Sequence, residues 1–315
     1  MPEPVAGTGP ADLHPQQSRK GTIQPHPAIP SRIVAPRDVH VYLPPGYERE
    51  IARRYPVLYL QDGQNVFETG DMGAGWRVNE TADALIEAGR IEPLIVVAVS
   101  NTKARREEYT PTAIEWKVAN GPISKGGGKA NLYGRFLIEE LKPFIDRTYR
   151  TRPDAASTAL GGASLGGLVS VWLALQHPQV FGSVLAVSPT VWWDNSVLLT
   201  KIAALPRPAA VRIWVDIGTL EGENAVSGAR GLRDALVEKG WKRGTDFEYV
   251  VQEGGRHDEV SWGSRVEGML TFLYGKPKRG TVAGAGNEDA SAGNEDASAG
   301  NEDASAGNED ASAGP

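Results

Sequence analysis

The stretch STALGGASLGGLVSVWLAL, residues 157 to 175, decides the fold, because a strand-like run ends in glycines and an apolar, helix-like run begins directly after them. Residues 162 to 166 within it read GASLG, which is the Gly-x-Ser-x-Gly pattern in the strand–turn–helix context that this pattern requires. A turn this sharp strains the backbone of the central serine, and side chains at positions 162 and 166 would collide with a neighbouring strand or helix. We therefore predict that Ser164 is a nucleophile presented at the tip of a tight turn.

Two backbone N–H donors are needed to stabilise an oxyanion that develops beside Ser164, and the sequence offers a candidate for each. Leu165 opens the helix, so its N–H has no partner inside the helix and lies at the positive end of the helix dipole. The loop after the strand PVLYL (56 to 60) reads QDGQN, and a turn there would point the N–H of Gln64 toward the same oxyanion. An ordinary Asp-Gly turn has the same sequence, so spacing alone leaves both interpretations of this loop open.

The general base that a serine hydroxyl needs is expected to be a histidine downstream of the last buried strand. His257 has this position, because it follows the predicted strand FEYVVQ (247 to 252) and precedes an apolar helical run. His177 is the alternative, but it lies where a helix stops before a proline, and an imidazole there more often caps carbonyl groups. The other three histidines, at positions 14, 26 and 40, precede the nucleophile. We predict that His257 is the base.

The acid that orients this histidine should lie between the serine and the histidine in the chain. Three carboxylates compete: Asp216, Glu221 and Glu223. Asp216 falls inside the predicted strand VRIWVDI (211 to 217), where it could equally be a buried acid with its own partners. Glu221 follows a Gly-Thr turn that would free it to reach an imidazole. We predict Glu221, with Asp216 and Glu223 as alternatives, and its role is to hold one tautomer of the base.

Apolar runs of strand length alternate with helical segments from about residue 35 to residue 275. This alternation predicts the α/β class, with a mostly parallel central sheet and helices on both faces. The runs that look buried on both faces are PVLYL (56 to 60), LIVVAV (94 to 99), STALGGA (157 to 163), SVLAVS (183 to 188) and VRIWVDI (211 to 217). RDVHVYLP (37 to 44) alternates and predicts a half-exposed antiparallel edge strand. One such sheet needs most of this length, so we predict a single catalytic domain over residues 35–276.

The two ends of the chain differ from this domain in composition. Residues 1–34 are rich in Pro, Gln and His and lack apolar periodicity, which predicts an N-terminal arm that is partly disordered. Residues 277–315 include NEDASAG repeated four times without a change. The repeat is too small and too polar to bury a core, so we predict a disordered acidic tail.

Composition excludes several classes of function. The 33 Lys and Arg nearly balance the 39 Asp and Glu, so no broad basic surface for nucleic acid is expected. No apolar stretch is long enough to span a bilayer, and the first residues lack the apolar segment of a signal peptide, which predicts a cytoplasmic protein without a membrane partner. The chain has no cysteine, and its five histidines are scattered, so no metal site is expected.

Six motifs, in this order, resemble the putative esterase family, which includes esterase D, enterochelin-esterase-like proteins, feruloyl esterases and mycolyltransferases. The motifs are YLQDGQNVF (59 to 67), REEYTP (106 to 111), GGASLGGL (161 to 168), SPTVWW (188 to 193), GTLEG (218 to 222) and GGRHDEVSW (254 to 262). The resemblance covers about residues 35 to 275 and implies an α/β-hydrolase fold. The triad and oxyanion-hole residues predicted above fall on the family's positions. Gln61 stands where relatives often have His, so the resemblance assigns no role to that side chain.

Residues 101 to 130 form a segment longer than connections between secondary-structure elements usually are, which predicts a lid or substrate loop. Bases outnumber acids in this stretch, which is compatible with an anionic substrate, although a solvated charged loop has the same composition and is the more common case. Aromatic side chains in and near it suit a flat aromatic ester. The candidate substrate contacts are Arg105, Tyr109, Trp192 and Trp193.

The sequence therefore predicts a serine carboxylic-ester hydrolase that uses a Ser-His-Glu triad and an acyl-enzyme intermediate. Its expected partner is a small-molecule ester, aromatic or siderophore-like, and no cofactor is expected. The alternatives are an acyltransferase on the same scaffold, in which an alcohol replaces water, and a non-catalytic binding protein. The sequence does not predict an oligomeric state.

Overall fold

The structure is a computed structural model that describes residues 20–67, 75–117, 123–204, 206–207 and 211–276, without the side chains of residues 116 and 117. The predicted acidic tail and the first part of the predicted arm lie outside these residues. The strands are β1 (Thr22–Ile29), β2 (Arg37–Leu43), β3 (Val57–Gln61), β4 (Ile95–Val99), β5 (Ala113–Lys117), β6 (Ile123–Gly127), β7 (Thr158–Ala163), β8 (Ser183–Val187), β9 (Arg212–Gly218) and β10 (Phe247–Gln252).

The helices connect these strands and are mostly short. They are α1 (Val78–Glu87), α2 (Arg105–Glu108), α3 (Ala130–Arg135), α4 (Lys142–Thr148), α5 (Leu165–Gln176), α6 (Trp193–Ala204), α7 (Glu223–Glu238), α8 (Glu259–Gly263) and α9 (Val266–Tyr274), with a π-helical segment at Phe136–Leu141 and 3-10 turns at Gly63–Asn65 and Ala155–Ser157. Every helix in the described residues is too short or too polar to cross a membrane. In the same residues, no three side chains of the metal-binding types come together as a metal site.

The main sheet has eight strands in the order β1-β2-β4-β3-β7-β8-β9-β10. The six strands from β4 to β10 run parallel, and β2 and β1 extend the sheet in antiparallel pairings. Successive strand residues point to opposite faces, so that Leu58 packs in one apolar core and Tyr59 in the other. Helices α1, α8 and α9 cover the first core, and α3 to α7 cover the second. The predicted α/β architecture is confirmed.

The edge of the sheet differs from the prediction. β2, expected as a half-exposed edge strand, lies inside the sheet between β1 and β4, and β1 forms the edge. Because β1 lies within residues 1–34, this part of the predicted arm belongs to the sheet. β1 is exposed along most of its length and contains Pro25 and Pro27, which an edge strand tolerates on its unpaired side. It therefore lacks the apolar alternation that marks a strand in a sequence.

The described residues between 101 and 130, which exclude 118–122, are also more regular than predicted. α2 is followed by β5 and β6, which pair antiparallel as a separate two-stranded sheet. The Nε1–H of Trp193 donates to the carbonyl oxygen of Thr112 (3.1 Å), which ties the start of this hairpin to the segment after β8. These described residues therefore form a wall beside the carboxyl ends of the parallel strands.

Candidate active site

Ser164 is the residue at which β7 turns into α5, and its backbone is strained. Its φ of 58° and ψ of −121° lie in a region of backbone conformation that residues other than glycine rarely adopt. Its N–H donates to the carbonyl of Val187 (3.0 Å), and its carbonyl accepts from the N–H of Thr190 (3.1 Å). A Cβ at Gly162 would lie 2.8 Å from Cβ of Gln61, so a side chain there would displace the neighbouring strand. The close packing under the turn holds Ser164 in its strained conformation.

The loop after β3 is pressed against the sheet at Gly63. A Cβ there would lie 2.5 Å from the carbonyl carbon of Ala98, so only glycine allows this approach. The side chain of Gln64 accepts a hydrogen bond from the N–H of Asn101 (3.3 Å). Gln64 lies in a 3-10 turn and Leu165 begins α5, and N–H groups at such helix starts lack partners within the helix. The two predicted donors therefore occupy helix starts that follow neighbouring strands.

An ion pair fixes this loop. Asp62 accepts hydrogen bonds from Nε (2.7 Å) and Nη2 (2.8 Å) of Arg105, and Nδ2 of Asn101 donates to the same carboxylate (2.6 Å). Burial lowers the pKa of Arg105, but the hydrogen bonds and charge of Asp62 outweigh it and raise the pKa above its usual value. Arg105 was predicted to contact substrate, and the structure shows that its charge is already matched by Asp62.

Tyr109, the second predicted substrate contact, is fully buried. Its hydroxyl accepts a hydrogen bond from the N–H of Asp62 (3.3 Å), and its ring packs against Tyr133 with centroids 5.2 Å apart. Burial raises the pKa of Tyr109 well above its usual value. The hydroxyl of Tyr133 in turn donates to Oε1 of Gln61. Tyr109 therefore supports the loop from behind, and the prediction that it touches substrate is wrong.

His257 and Glu221 meet at the carboxyl ends of β10 and β9. Nδ1 of His257 lies 2.7 Å from Oε2 of Glu221, and the side chain of Glu221 is fully buried while that of His257 is 41% exposed. Burial alone raises the pKa of Glu221, but hydrogen bonds from His257, Ser188 and Gly218 outweigh it and hold the pKa below its usual value. The alternative Glu223 is exposed in the first turn of α7. Because Nδ1 of His257 is held by the acid, Nε2 is the ring nitrogen that remains for proton transfer.

Ser188 connects Glu221 to a second layer of buried groups. Its hydroxyl donates to Oε1 of Glu221 (2.6 Å) and accepts from Nε1 of Trp262 (3.0 Å) and Nη2 of Arg265 (3.1 Å). Trp262 also meets the imidazole of His257 edge-on, with ring centroids 5.0 Å apart. The orientation of the acid and of the imidazole is therefore supported by side chains that lie below the surface.

Asp216, the other alternative acid, has different partners. It accepts hydrogen bonds from Nε1 of Trp214 (2.7 Å) and from the N–H of Ser188 (3.1 Å), and its Oδ1 lies 3.0 Å from Nη1 of Arg265. Burial raises the pKa of Asp216 to about 6, against the opposing effects of Arg265, Trp214 and Ser188. Of the predicted acids, Glu221 is the one that the structure brings to His257.

A cavity of about 370 Å³ lies beside Ser164. Its lining combines apolar side chains, two guanidinium groups and two hydroxyls: Ile114, Leu165, Trp192, Trp193, Arg105, Arg106, Ser164 and Thr190. Trp192 is 51% exposed and lies at the rim, whereas Trp193 is nearly buried and forms part of the wall. Ile114 belongs to β5, so the hairpin that follows α2 contributes a wall of this cavity.

The hydroxyl of Ser164 is paired with Thr190 in this structure, with Oγ and Oγ1 3.2 Å apart. Within the described residues, Ser164 and His257 do not hydrogen-bond to each other, although both follow parallel strands at the same edge of the sheet. The structure thus joins His257 to Glu221 and the serine to Thr190. Either hydroxyl can be the donor in this contact, which holds Oγ of Ser164 against the segment that follows β8.

A family model described as Putative esterase matches residues 31–273, which is most of the chain. The chain belongs to this family. The esterase is therefore an enzyme that hydrolyses carboxylic esters, and it has the α/β-hydrolase fold that the sequence motifs imply.

Several relatives are similar to this esterase in sequence. It is 26% identical over 266 residues to the uncharacterized protein YbbA of Bacillus subtilis, an alignment that covers 82% of this chain and 98% of YbbA. It is 31% identical over 246 residues to an endo-1,4-beta-xylanase/feruloyl esterase of Xylanibacter ruminicola, covering 75% of this chain and 29% of that protein. It is 28% identical over 257 residues to an iron(III) salmochelin esterase of Escherichia coli, covering 76% of this chain and 55% of that protein. The chain therefore spans only part of the last two relatives.

Solved structures with a similar fold include an IroE-like serine hydrolase from Shewanella oneidensis, with a TM-score of 0.65 and 21% identity over 81% of this chain and 80% of that one. A ferulic acid esterase has a TM-score of 0.63 and 20% identity over 81% of this chain and 98% of that one. At these identities the likeness establishes the fold of the esterase and not its substrate.

Several residues that support the site are not predicted from the sequence, among them Asp62, Thr190 and Arg265. Asp62 lies in a predicted turn, but its partner Arg105 is distant in the chain and shares no local pattern with it. A signal for Arg265 does exist. An acid inside the apolar strand 211 to 217 requires a buried partner, and Arg265 is a cation next to the apolar helical run after His257.

Proposed function

We propose that the esterase cleaves its substrate with Ser164 as nucleophile, His257 as general base and Glu221 as the orienting acid, through an acyl-enzyme intermediate. The observation that carries the proposal is the 2.7 Å contact between His257 and Glu221 at the edge of the sheet where Ser164 occupies a strained turn. The proposed catalytic unit is residues 35–276, close to the family match over residues 31–273.

In the first step, Oγ of Ser164 attacks the ester carbonyl while Nε2 of His257 takes its proton. The imidazolium passes this proton to the departing alcohol, and the acyl group remains on Ser164. Water then attacks the acyl-enzyme with His257 as base, which releases the acid and restores the serine. Glu221 stays ionised throughout and stabilises the imidazolium through Nδ1.

The negative charge that develops on the carbonyl oxygen is assigned to the N–H groups of Leu165 and Gln64. Both follow strands that are neighbours in the sheet, β7 and β3. Removing one donor of such a pair lowers kcat by about 10²- to 10³-fold in related chemistry. In this proposal, the Asp62–Arg105 pair holds the loop in the position from which the N–H of Gln64 can donate to the carbonyl oxygen.

The proposed substrate is an aromatic or siderophore-like ester. The relatives whose names give an ester substrate include an endo-1,4-beta-xylanase/feruloyl esterase and an iron(III) salmochelin esterase. The exposed indole of Trp192 at the cavity rim, with Ile114 and Leu165 as apolar walls, suits a flat aromatic group. Because Arg105 is paired with Asp62, binding is assigned mainly to these apolar walls.

The test is turnover of short-acyl, aryl and siderophore-type esters by the wild-type chain and by Ser164→Ala, together with fluorophosphonate labelling. Ser164→Ala should abolish labelling and lower kcat by about 10⁴-fold or more. Ser227→Ala is the matched control, because Ser227 is exposed on α7 and its hydroxyl donates to the carbonyl of Asn224 in the same helix (3.2 Å). Undiminished cleavage in Ser164→Ala would refute the proposal. Acyl transfer to an added alcohol in preference to water would instead identify an acyltransferase.

A further inference from the structure

Two buried acids share one arginine behind the proposed triad. The side chain of Arg265 is 4% exposed, with Nη1 3.0 Å from Oδ1 of Asp216 and Nη2 3.6 Å from Oε1 of Glu221. Both carboxylates are fully buried. Nη2 also donates to the hydroxyl of Ser188, which itself donates to Glu221. A continuous set of contacts therefore runs from a carboxylate inside β9 to the proposed triad acid.

The charges of this cluster do not cancel while the imidazole is neutral. When Asp216 is ionised, two carboxylates and one guanidinium leave one negative charge in excess, and protonation of His257 removes that excess. Charges interact strongly in a buried cluster because little water screens them. An excess negative charge therefore favours the imidazolium that forms when Ser164 gives up its proton.

Asp216 is surrounded by donors alone. Trp214, the N–H of Ser188 and the guanidinium of Arg265 all point hydrogen atoms or positive charge at its oxygens. An ionised carboxylate satisfies all three contacts, whereas a neutral acid must turn a proton toward one of the donors. These donors thus favour the charged form of Asp216 and oppose the effect of burial, which raises its pKa to about 6.

We infer that Asp216 and Arg265 are positioning residues that hold Glu221 in place and set the proton affinity of His257 from behind the triad. The inference rests on the roles of Glu221 and His257 in the proposed function. It also accounts for the presence of a second acid in the sheet. Loss of Asp216 leaves Arg265 and Glu221 balanced, and loss of Arg265 leaves two carboxylates without a cation.

Charged groups also lie on the loop of His257 and on α8. Arg256 is exposed. The carboxylate of Asp258 caps α8 by accepting a hydrogen bond from the N–H of Ser261 (2.8 Å), and Glu259 accepts a hydrogen bond from Asn65 (3.0 Å). These three are open to water at least in part, so solvent and salt weaken their effect on the imidazole. Asp216 and Arg265 act through the protein interior, where this screening is small.

An NMR titration of the imidazole tests the inference without any ester. The ring C–H resonances of His257 are assigned by comparison with His257→Ala and followed against pH in each variant. Asp216→Asn should lower the titration midpoint by roughly half a pH unit or more, because a negative charge is lost. Arg265→Gln should raise it by a similar amount, because a positive charge is lost. Arg265→Lys keeps the charge, so its midpoint should remain near that of the wild type.

The acidic limb of the kcat/KM pH profile gives a second readout and should move in the same directions. Opposite displacements in the two charge-removing variants support the inference. No displacement, or displacement in one direction for both, overturns it, because simple loosening of the fold would affect both variants alike. If circular dichroism shows that Arg265→Gln is unfolded, the comparison of Asp216→Asn with Arg265→Lys still tests the inference. Only Asp216→Asn should change the titration midpoint of His257. A wrong proposed function would be seen separately, as undiminished cleavage by Ser164→Ala, since the imidazole titration needs no turnover.

Discussion

Two arginine–aspartate pairs lie on opposite sides of Ser164 in the sheet, and they differ in how far water reaches them. The Arg105–Asp62 pair, on the side of β3, is a two-bond fork whose side chains are 32% and 14% exposed. The Arg265–Asp216 pair, on the side of β9, is 4% and 0% exposed, and Nη1 lies near its acid without a well-aligned hydrogen bond. Water screens the charges of the first pair, so this pair acts mainly through the geometry of its two parallel hydrogen bonds. The second pair is shielded from water, so its charges interact more strongly with groups in its surroundings.

The largest effect is expected on the buried side, at the proposed acid. Glu221→Gln keeps the shape of the side chain but removes the charge that selects the tautomer of His257 and stabilises the imidazolium. We expect kcat to fall by about 10³- to 10⁴-fold, as for loss of the acid in other triads. Steady-state kinetics with an aryl ester measures this. Glu223→Gln is the matched control and should change little, and an equal loss in that control would mean that Glu221 is not the acid.

An intermediate effect is expected on the exposed side, at the fork. Arg105→Lys keeps the positive charge but cannot make two parallel hydrogen bonds to Asp62, so the loop that carries Gln64 should loosen. We expect kcat to fall by about 10- to 100-fold with little change in KM, because one oxyanion donor is misplaced rather than removed. Arg106→Lys, in the neighbouring cavity wall, is the control. A raised KM with unchanged kcat in Arg105→Lys would show instead that Arg105 binds the substrate.

The smallest effect is expected between the two pairs, at Thr190. Thr190→Val removes the hydroxyl that contacts Oγ of Ser164 and keeps the volume of the side chain. A neutral hydrogen bond of this kind contributes about 0.5 to 1.5 kcal/mol, so we expect a decrease in kcat of about 2- to 10-fold. Thr190→Ser keeps the hydroxyl and should retain most of the activity. Equal losses in the two variants would assign the effect to packing against the cavity wall.

The parts of the site that the sequence predicts are those encoded locally. The turn at Ser164 is visible because its glycines, its serine and the flanking strand and helix are contiguous in the chain. Glu221 could be preferred over Asp216 because a Gly-Thr turn separates it from the strand. In each case a short stretch of sequence determines the backbone, and the backbone determines where the side chain lies.

The parts that the sequence does not predict depend on contacts between distant segments. Tyr109 is an aromatic residue in a predicted substrate loop, so the sequence suggests a substrate contact. Its burial and its supporting role follow from its packing against Tyr133 and the β3 loop. Arg105 and Arg265 are single cations whose partners are set by tertiary structure. β1 escapes prediction for a different reason: an edge strand exposed along most of its length needs no apolar alternation.

The outer edge of β1 has a consequence for how the protein behaves at high concentration. A free strand edge offers N–H and carbonyl groups in register, which another copy could extend into a larger assembly. Pro25 and Pro27 have no N–H to offer, and a register shift follows His26. An incoming chain therefore finds an incomplete row of donors, and this boundary of the sheet is protected against uncontrolled growth by its own composition.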